Sequence, residues 1–521
     1  MRDRERPAWK AGTMSTVAPD PIQHPPATAA PAAPEGAAIR PVHDDRLTNE
    51  DLAPLREQKW SWYNIFAFWM SDVHSVGGYV TAGSLFALGL ASWQVLVCLV
   101  VGIVVVQVLA NLVAKPSQQA GVPYPVTARL AFGVRGANIP AIIRGLIAVA
   151  WYGIQTYLAS NALVVVMLRL WPSLGAYADA GQHGFLGLSA LGWAGYVILW
   201  IAQALVFWRG MDSIRRFIDW AGPAVYVVMF ALAIYLVANA GWSNVDWTLG
   251  TVQFTGWEAL PVMLTAIALV VSYFSGPLLN FGDFSRYSRS FADVKRGNFW
   301  GLPINFTLFA LLTVTCAAAT VPVYGELLTD PIETVARLDS TWAILLGALT
   351  YTIATIGINS VANFVSPAFD FSNVDPRRIS WRMGGMIAAV GSVLITPWNL
   401  YSSPELIHYT LDTLAAFIGP LFGVLLVDFY VVKKQRIDVD ALYSMSPEGR
   451  YWYRNGINPN AVLATSVAAL VGLVLVLVPG LGGIAAFNWF IGCGLGSAIY
   501  WLASVHGPWR EAPQAETAQA S

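Results

Sequence analysis

Trp151 and Gln155 lie four residues apart within AWYGIQTYLASN, so on a helix they share a face. An indole offers a flat apolar surface, and a primary amide offers two donors and an acceptor. Together they suit a small planar heterocycle with amide edges. The alternative is an interfacial tryptophan beside a glutamine that bridges helices, although Trp151 falls in the middle of its apolar run and not at a headgroup belt. Asn359 and Asn363, in ATIGINSVANFVSP, repeat the spacing. Each orphaned amide group in a buried asparagine costs about 1–3 kcal/mol, and bonding between helices accounts for this pair on pattern alone. A third set is ionisable. The apolar stretch 62–90 carries Ser71-Asp72-Val73-His74-Ser75-Val76-Gly77-Gly78 at its middle. An unpaired charge at the centre of a membrane helix costs about 3 kcal/mol or more. Open backbone is tolerated there only beside protein or a water-filled cavity. A discontinuous helix lining a site near the membrane midplane is therefore expected. The alternative is an intact helix whose polar residues bond a neighbour.

These residues need a membrane scaffold. Hydrophobic residues make up 56% of the chain and charged ones only 12%, against about 25% charged in soluble domains. The chain reads as an all-α, polytopic integral membrane protein. A net charge of -1 says nothing about partners. The cysteines, Cys98, Cys316 and Cys493, all fall in apolar runs and suit buried small residues, not a disulfide framework or a metal site. About twelve spans of suitable length follow: 62–90, 93–114, 138–168, 186–208, 215–240, 257–280, 299–323, 341–366, 379–398, 407–432, 459–480 and 484–505. Basic residues cluster after the even spans, from Lys115, Arg129 and Arg135 to Lys433, Lys434 and Arg436; Arg169 and Arg337 are the exceptions after odd ones. The positive-inside rule then places both termini in the cytoplasm of a cell bounded by this inner or plasma membrane.

Span six carries Gly276-Pro277, and proline removes a backbone donor and crowds the preceding turn. An interrupted span one and an interrupted span six, five apart, point to a five-plus-five inverted repeat with a site between the halves. The alternative for Gly276-Pro277 is a simple kink. The expected organisation is a disordered cytoplasmic tail over 1–55, a ten-helix transport core over 56–437, two further helices with their preceding loop over 438–507, and a second disordered tail over 508–521. The first span is expected to direct insertion itself, and Met14 offers an alternative start to Met1. The sequence has no phosphate-binding loop, no zinc-ligand spacing and no His-Glu-x-x-His, so an enzyme is the weaker class.

The chain resembles nucleobase–cation symporter family 1, whose members carry hydantoins, allantoin, uracil, cytosine and related compounds. The likeness rests on GVPYPVTARLAFGVRGANIPAIIRG (121–145), AWYGIQTY (150–157), NFGDFSRYSRS (280–290), NSVANFVSPAFDF (359–371) and GPLFGVLLVDFYVVKK (419–434). It implies the five-plus-five fold, with substrate between spans one, three, six and eight. It implies that Trp151 stacks on one face of the substrate ring and Gln155 bonds its amide edge. Phe274 would close the other face, where the family's hydantoin carrier has Trp. Asn363 would bond the substrate from span eight. Ser75 takes a position held by Gln in that carrier, which weighs against hydantoin itself.

The resemblance also bears on the coupling ion. A sodium site in this fold uses backbone carbonyls of span one, here near Ser71 and His74, with a carbonyl and two hydroxyls of span eight. Those span-eight positions align with Ala354, Gly357 and Ile358, and glycine and isoleucine supply no hydroxyl. Proton coupling is therefore expected over sodium coupling, with Asp72 and His74 as candidate carriers. The alternative for Asp72 is a carboxylate that caps unwound backbone donors. Asp283, beside Arg286 and Arg289, reads as a structural or gating ion pair, and Asp370 and Asp428 read likewise as structural. The function expected is secondary active import of a nucleobase or ureide-like compound, allantoin or uracil ahead of the others. No cofactor, nucleic acid or obligate protein partner is called for beyond substrate and bilayer. A membrane-embedded enzyme or receptor for such a ligand, and a channel, are the other classes.

Overall fold

In the computed structural model, residues 43–74, 76–245, 254, 256–400, 404–478 and 480–507 are described. Twelve helical spans follow one another through them. Span one is split into Trp62–Val73 and Val76–Ser84. Spans two to five are Ser92–Ala120, Asn138–Leu170, Ala190–Trp208 and Met211–Ala240. Span six is Ala259–Leu279, span seven runs over Phe291–Tyr324, and span eight over Thr341–Val374. Spans nine to twelve are Trp381–Leu394, Pro404–Leu426 with a wider turn over Val427–Val432, Pro459–Leu477 and Asn488–His506. Nine of the described helices are long and apolar enough to cross a membrane. The split span one, the short span nine and span twelve complete the set.

Local chemistry starts many of these helices where they start. Ser189, Ser290, Ser340 and Ser380 each accept a hydrogen bond from a first-turn backbone N–H of spans four, seven, eight and nine, satisfying donors that have no intrahelical partner. Asn458 does the same for span eleven, with Pro459 at its first position. Span one is held at depth by close approach to span seven. A Cβ added at Gly301 would lie 2.7 Å from the Cβ of Trp69, so only glycine lets these helices pack this tightly.

The two interruptions differ. Span one leaves helical geometry at His74 (φ -82, ψ 76) and resumes at Val76, so Gly77 and Gly78 lie in its second half and not at the break. Span six carries helix straight through Gly276-Pro277 to Leu279. It breaks off only at Asn280–Phe281, before a further turn over Gly282–Ser285. Span eight holds a feature that the sequence reading did not anticipate, a widened π turn over Asn359–Val365. Such bulges strip some backbone groups of their usual partners and are common at functional sites.

Residues 1–42 lie outside the described residues, but 43–55, expected within a disordered tail, are folded. Leu52 is fully buried and Leu47 nearly so. Tyr443 donates its hydroxyl to Leu52 O at 2.7 Å, and the Asp44 N–H donates to Tyr443 O at 3.0 Å. The anchor is Arg129, whose guanidinium is buried and donates to Leu47 O, Leu442 O and Asn373 Oδ1 at 2.7, 3.0 and 2.6 Å. Two leucines in a polar, proline-rich stretch were too weak a pattern to reveal this docking. Each buried acceptor left unpaired costs about 1–3 kcal/mol. Arg129→Ala is therefore expected to free 43–55 and make it cleavable in limited proteolysis of detergent-purified protein, while the wild-type segment stays protected.

Candidate functional site

A narrow cavity of only about 20 Å³ lies beside the break in span one. It is lined by Asp72 of span one, Arg144, Trp151 and Gln155 of span three, Tyr273 and Pro277 of span six, and Ile358, Ala362 and Asn363 of span eight. Four polar or aromatic residues singled out from sequence, Asp72, Trp151, Gln155 and Asn363, thus meet at one place.

The break itself orients Gln155. The first amides of a helix lack intrahelical acceptors. The Gly77 N–H, one residue into the second half of span one, donates to Gln155 Oε1 at 3.3 Å. The other end of the amide, Nε2, donates to the Tyr273 hydroxyl at 3.3 Å. A Cβ at Gly77 would lie 2.6 Å from Gln155 Nε2. Because that atom ends a flexible side chain, Gly77→Ala is expected to fold normally but to swing the amide out of register. A tenfold or larger rise in the apparent KM for transport, at unchanged membrane abundance, would be the sign; an unchanged KM would show that Gln155 needs no such placement. The factor corresponds to about 1.4 kcal/mol, one neutral hydrogen bond.

Span eight supplies Asn363 by way of Asn359. Asn359 is buried and donates through Nδ2 to Gln203 Oε1 at 2.7 Å, Thr156 Oγ1 at 3.0 Å and Tyr152 O at 3.3 Å. It ties spans three, four and eight together, as interhelical bonding would have it. Its own oxygen accepts from Asn363 Nδ2 at 3.0 Å. One asparagine therefore positions the other.

Phe274 does not line this cavity. It is buried against Phe306 of span seven, centroids 5.4 Å apart and nearly perpendicular. Its neighbour Tyr273 takes the place expected of it, edge to face with Trp151 at 5.6 Å. One helical residue is about a 100° turn, so an assignment shifted by one residue picks the wrong face. Ser75 lies outside the described residues. His74 is buried between Tyr226 and Phe309, its ring 4.1 Å from the tyrosine ring, and neither ring nitrogen has a hydrogen-bond partner. Ser71 faces span eight at Gly357, where an added Cβ would sit 3.4 Å from the serine Cβ; its hydroxyl is unpartnered. Ala354 is buried one turn earlier on the same helix.

The sequence reading missed Arg144. Its guanidinium is fully buried, donating through Nε to Gly276 O at 3.2 Å and through Nη2 to Ala362 O at 3.1 Å. It thus ties the proline turn of span six to the π turn of span eight. Asp72, Asp283 and Asp370 all lie close enough to act on its charge. A signal was present. An arginine inside an apolar run is a functional candidate by default, and Arg144 precedes Trp151 by seven residues, placing both on one helix face.

Asp283 makes no ion pair with Arg286 or Arg289. It accepts from the Tyr124 N–H at 2.8 Å and from Asn280, whereas Arg289 pairs with Asp293 at 2.9 Å. Asp428 does form a buried pair, with Lys433 at 3.1 Å, and accepts the Tyr500 hydroxyl at 2.6 Å.

A family model described as permease for cytosine/purines, uracil, thiamine, allantoin matches residues 53–492. The chain belongs to that family. Among its relatives, an allantoin permease of Bacillus subtilis (strain 168) is 34% identical over 467 residues, 89% of this chain and 94% of its own. A purine-uracil permease of Arabidopsis thaliana is 32% identical over 84% of this chain and 72% of its own. A nucleobase-cation-symport-1 family transporter, solved in a closed conformation with bromovinylhydantoin bound, superposes with a TM-score of 0.72 at 22% identity, covering 89% of this permease and 98% of that chain. That likeness shows the fold, including the two five-helix repeats with two added spans. This permease is a multi-pass membrane transporter and not an enzyme.

Proposed function

We propose that this permease imports a neutral planar amide heterocycle or ureide, of the allantoin, uracil, hydantoin or cytosine class, by alternating access and in symport with protons. The observation that carries this reading is the meeting of an indole, two carboxamides, a phenol and a carboxylate in one cavity at the break in span one. Trp151 offers a face for a ring. Gln155 and Asn363 offer amide donors and acceptors, already held in place by Gly77, Tyr273 and Asn359. Stacking adds only about 0.5–1.5 kcal/mol beyond burial. Selectivity then rests on the amide pairing, because a ligand lacking the matching group leaves a buried one unpaired. Allantoin and uracil lead the class because the relatives named above carry those names. The basic loops after the even spans support a cytoplasmic position for both termini.

Sodium coupling is the second reading, since it is the fold's usual use of Ser71, His74 and Ala354. Gly357 and Ile358 weigh against it, for neither side chain carries oxygen and the Ser71 side chain packs against Gly357. The test uses purified protein in proteoliposomes, with a panel of labelled nucleobases, allantoin and hydantoins under an imposed proton or sodium gradient. Accumulation driven by protons alone is expected. Accumulation on a sodium gradient would replace the coupling reading, and a protein that moves none of the panel would sink the substrate class.

A further inference from the structure

We infer that the coupled proton is held by a buried carboxylate pair, Asp370 and Asp283, bridged by Asn280 at the basic-loop end of spans six and eight. This rests on the proton-coupled reading above and moves the proton site away from Asp72 and His74. Both aspartates are fully buried. A single amide group joins them, Asn280 Nδ2 donating at 3.2 Å to Asp283 Oδ2 and at 3.2 Å to Asp370 Oδ2. They are not equally provided for. Asp283 also accepts the Tyr124 N–H at 2.8 Å. Asp370 has only the shared amide, and its Oδ1 has no partner. The Asn280 oxygen and the Tyr124 hydroxyl, buried in the same cluster, have none either.

The charges facing the pair come from every element around it. Span three contributes Arg144, whose Nε and Nη2 donate to backbone carbonyls and whose Nη1 bonds neither carboxylate and has no partner. The turn after span six contributes Arg286, which lies against the Phe369 ring at 4.9 Å and donates to Asp51 O and the Tyr287 hydroxyl. The loop between spans two and three contributes Tyr124. Two buried carboxylates sharing one amide, with no cation bonded to either, hold a proton between them more readily than two charges. The proton adds to Asp370 Oδ1 from one aqueous side and leaves to the other, with no other bond made or broken.

The placement gives that proton something to do. Asp370 follows Asn363 by seven residues along span eight, and Arg144 lines the substrate cavity while feeling Asp370, Asp283 and Asp72. The charge of the pair therefore reaches the cavity through Arg144. The pair also joins three pieces, the ends of spans six and eight and the loop at Tyr124, that must part before the cavity opens toward the basic loops.

The test compares two assays in proteoliposomes, accumulation driven by a pH gradient and counterflow at equal pH, using the substrate that wild type moves best. Asp370→Asn is expected to lose proton-driven accumulation at least tenfold while keeping counterflow within about twofold. Accumulation like wild type, or loss of counterflow by a correctly inserted variant, would overturn the assignment. Asn280→Ala gives an independent reading. It removes a donor that favours the charged pair, so the pH midpoint of accumulation should move upward, and an unmoved midpoint also overturns the assignment. Wild-type counterflow is the control that separates the two readings. Its absence defeats the substrate class, whereas normal wild-type counterflow with unaltered accumulation by Asp370→Asn defeats only the proton site.

Discussion

Gln155→Ala is expected to lower transport about a hundredfold or more, with the protein still in the membrane. The amide has three duties. Its oxygen satisfies the Gly77 N–H at the start of the second half of span one, its nitrogen binds the Tyr273 hydroxyl, and what remains of its bonding capacity faces the cavity. Truncation removes the ligand's partner and orphans a buried backbone donor. With about 1–3 kcal/mol for each group left unpaired, the two together cost about 2–6 kcal/mol, roughly 1.5 to 4 powers of ten at 1.4 kcal/mol each, and a hundredfold loss lies within that range. Gln155→Glu separates the duties. Its carboxylate still accepts from Gly77 and can accept from the Tyr273 hydroxyl but cannot donate to a ligand carbonyl, so it should transport poorly even where the protein inserts and folds. Trp151→Ala should lose transport as deeply, and Trp151→Phe should recover part of it through the ring face. Initial rates of labelled substrate uptake across a concentration series measure all four variants, and near-normal uptake by the alanine variants would remove this cavity as the substrate site.

Why some of this was legible in the sequence and some was not follows from how each feature is encoded. Spans are written as long apolar runs, and basic loops punctuate them, so twelve spans could be counted directly. Polar residues four apart on an apolar helix mark one face, which brought out Trp151 with Gln155 and Asn359 with Asn363. A π turn has no such signature. The widening at Asn359–Val365 depends on what packs against span eight, and it determines that Asn363 reaches the cavity while Asn359 stays behind to hold it. The same dependence on neighbours explains the slip between Phe274 and Tyr273, since sequence alone does not fix the rotation of span six. Gly276-Pro277 misled differently. Helix continues through the dipeptide to Leu279, and the chain breaks one turn later, where the Asn280 N–H and Arg144 both bond Gly276 O. Arg144 was in plain view, but a lone arginine announces only that it must be paired. Its partners are backbone carbonyls on two other spans, and no residue pattern records a free carbonyl.

Arg144→Ala should be the most destabilising single change in the core. The substitution leaves Gly276 O with only the Asn280 N–H and takes the side-chain donor from Ala362 O, and it removes the Arg144 charge that acts on Asp72, Asp283 and Asp370. Removing one member of a buried charged network costs about 3–5 kcal/mol, because the opposite charges stay behind uncompensated. A lower melting temperature in detergent and loss of uptake are both expected. Arg144→Lys restores the charge but not the fork that spans two carbonyls, so it should recover less stability than a conservative change usually does. The decisive comparison is the double variant. If the penalty comes from stranded negative charge, Arg144→Ala with Asp370→Asn should melt higher than Arg144→Ala alone, a coupling that sites without contact would not show. Additive losses would instead assign the whole effect to the two carbonyls, leaving Arg144 as a strut between spans six and eight with no electrostatic link from the carboxylate pair to the cavity.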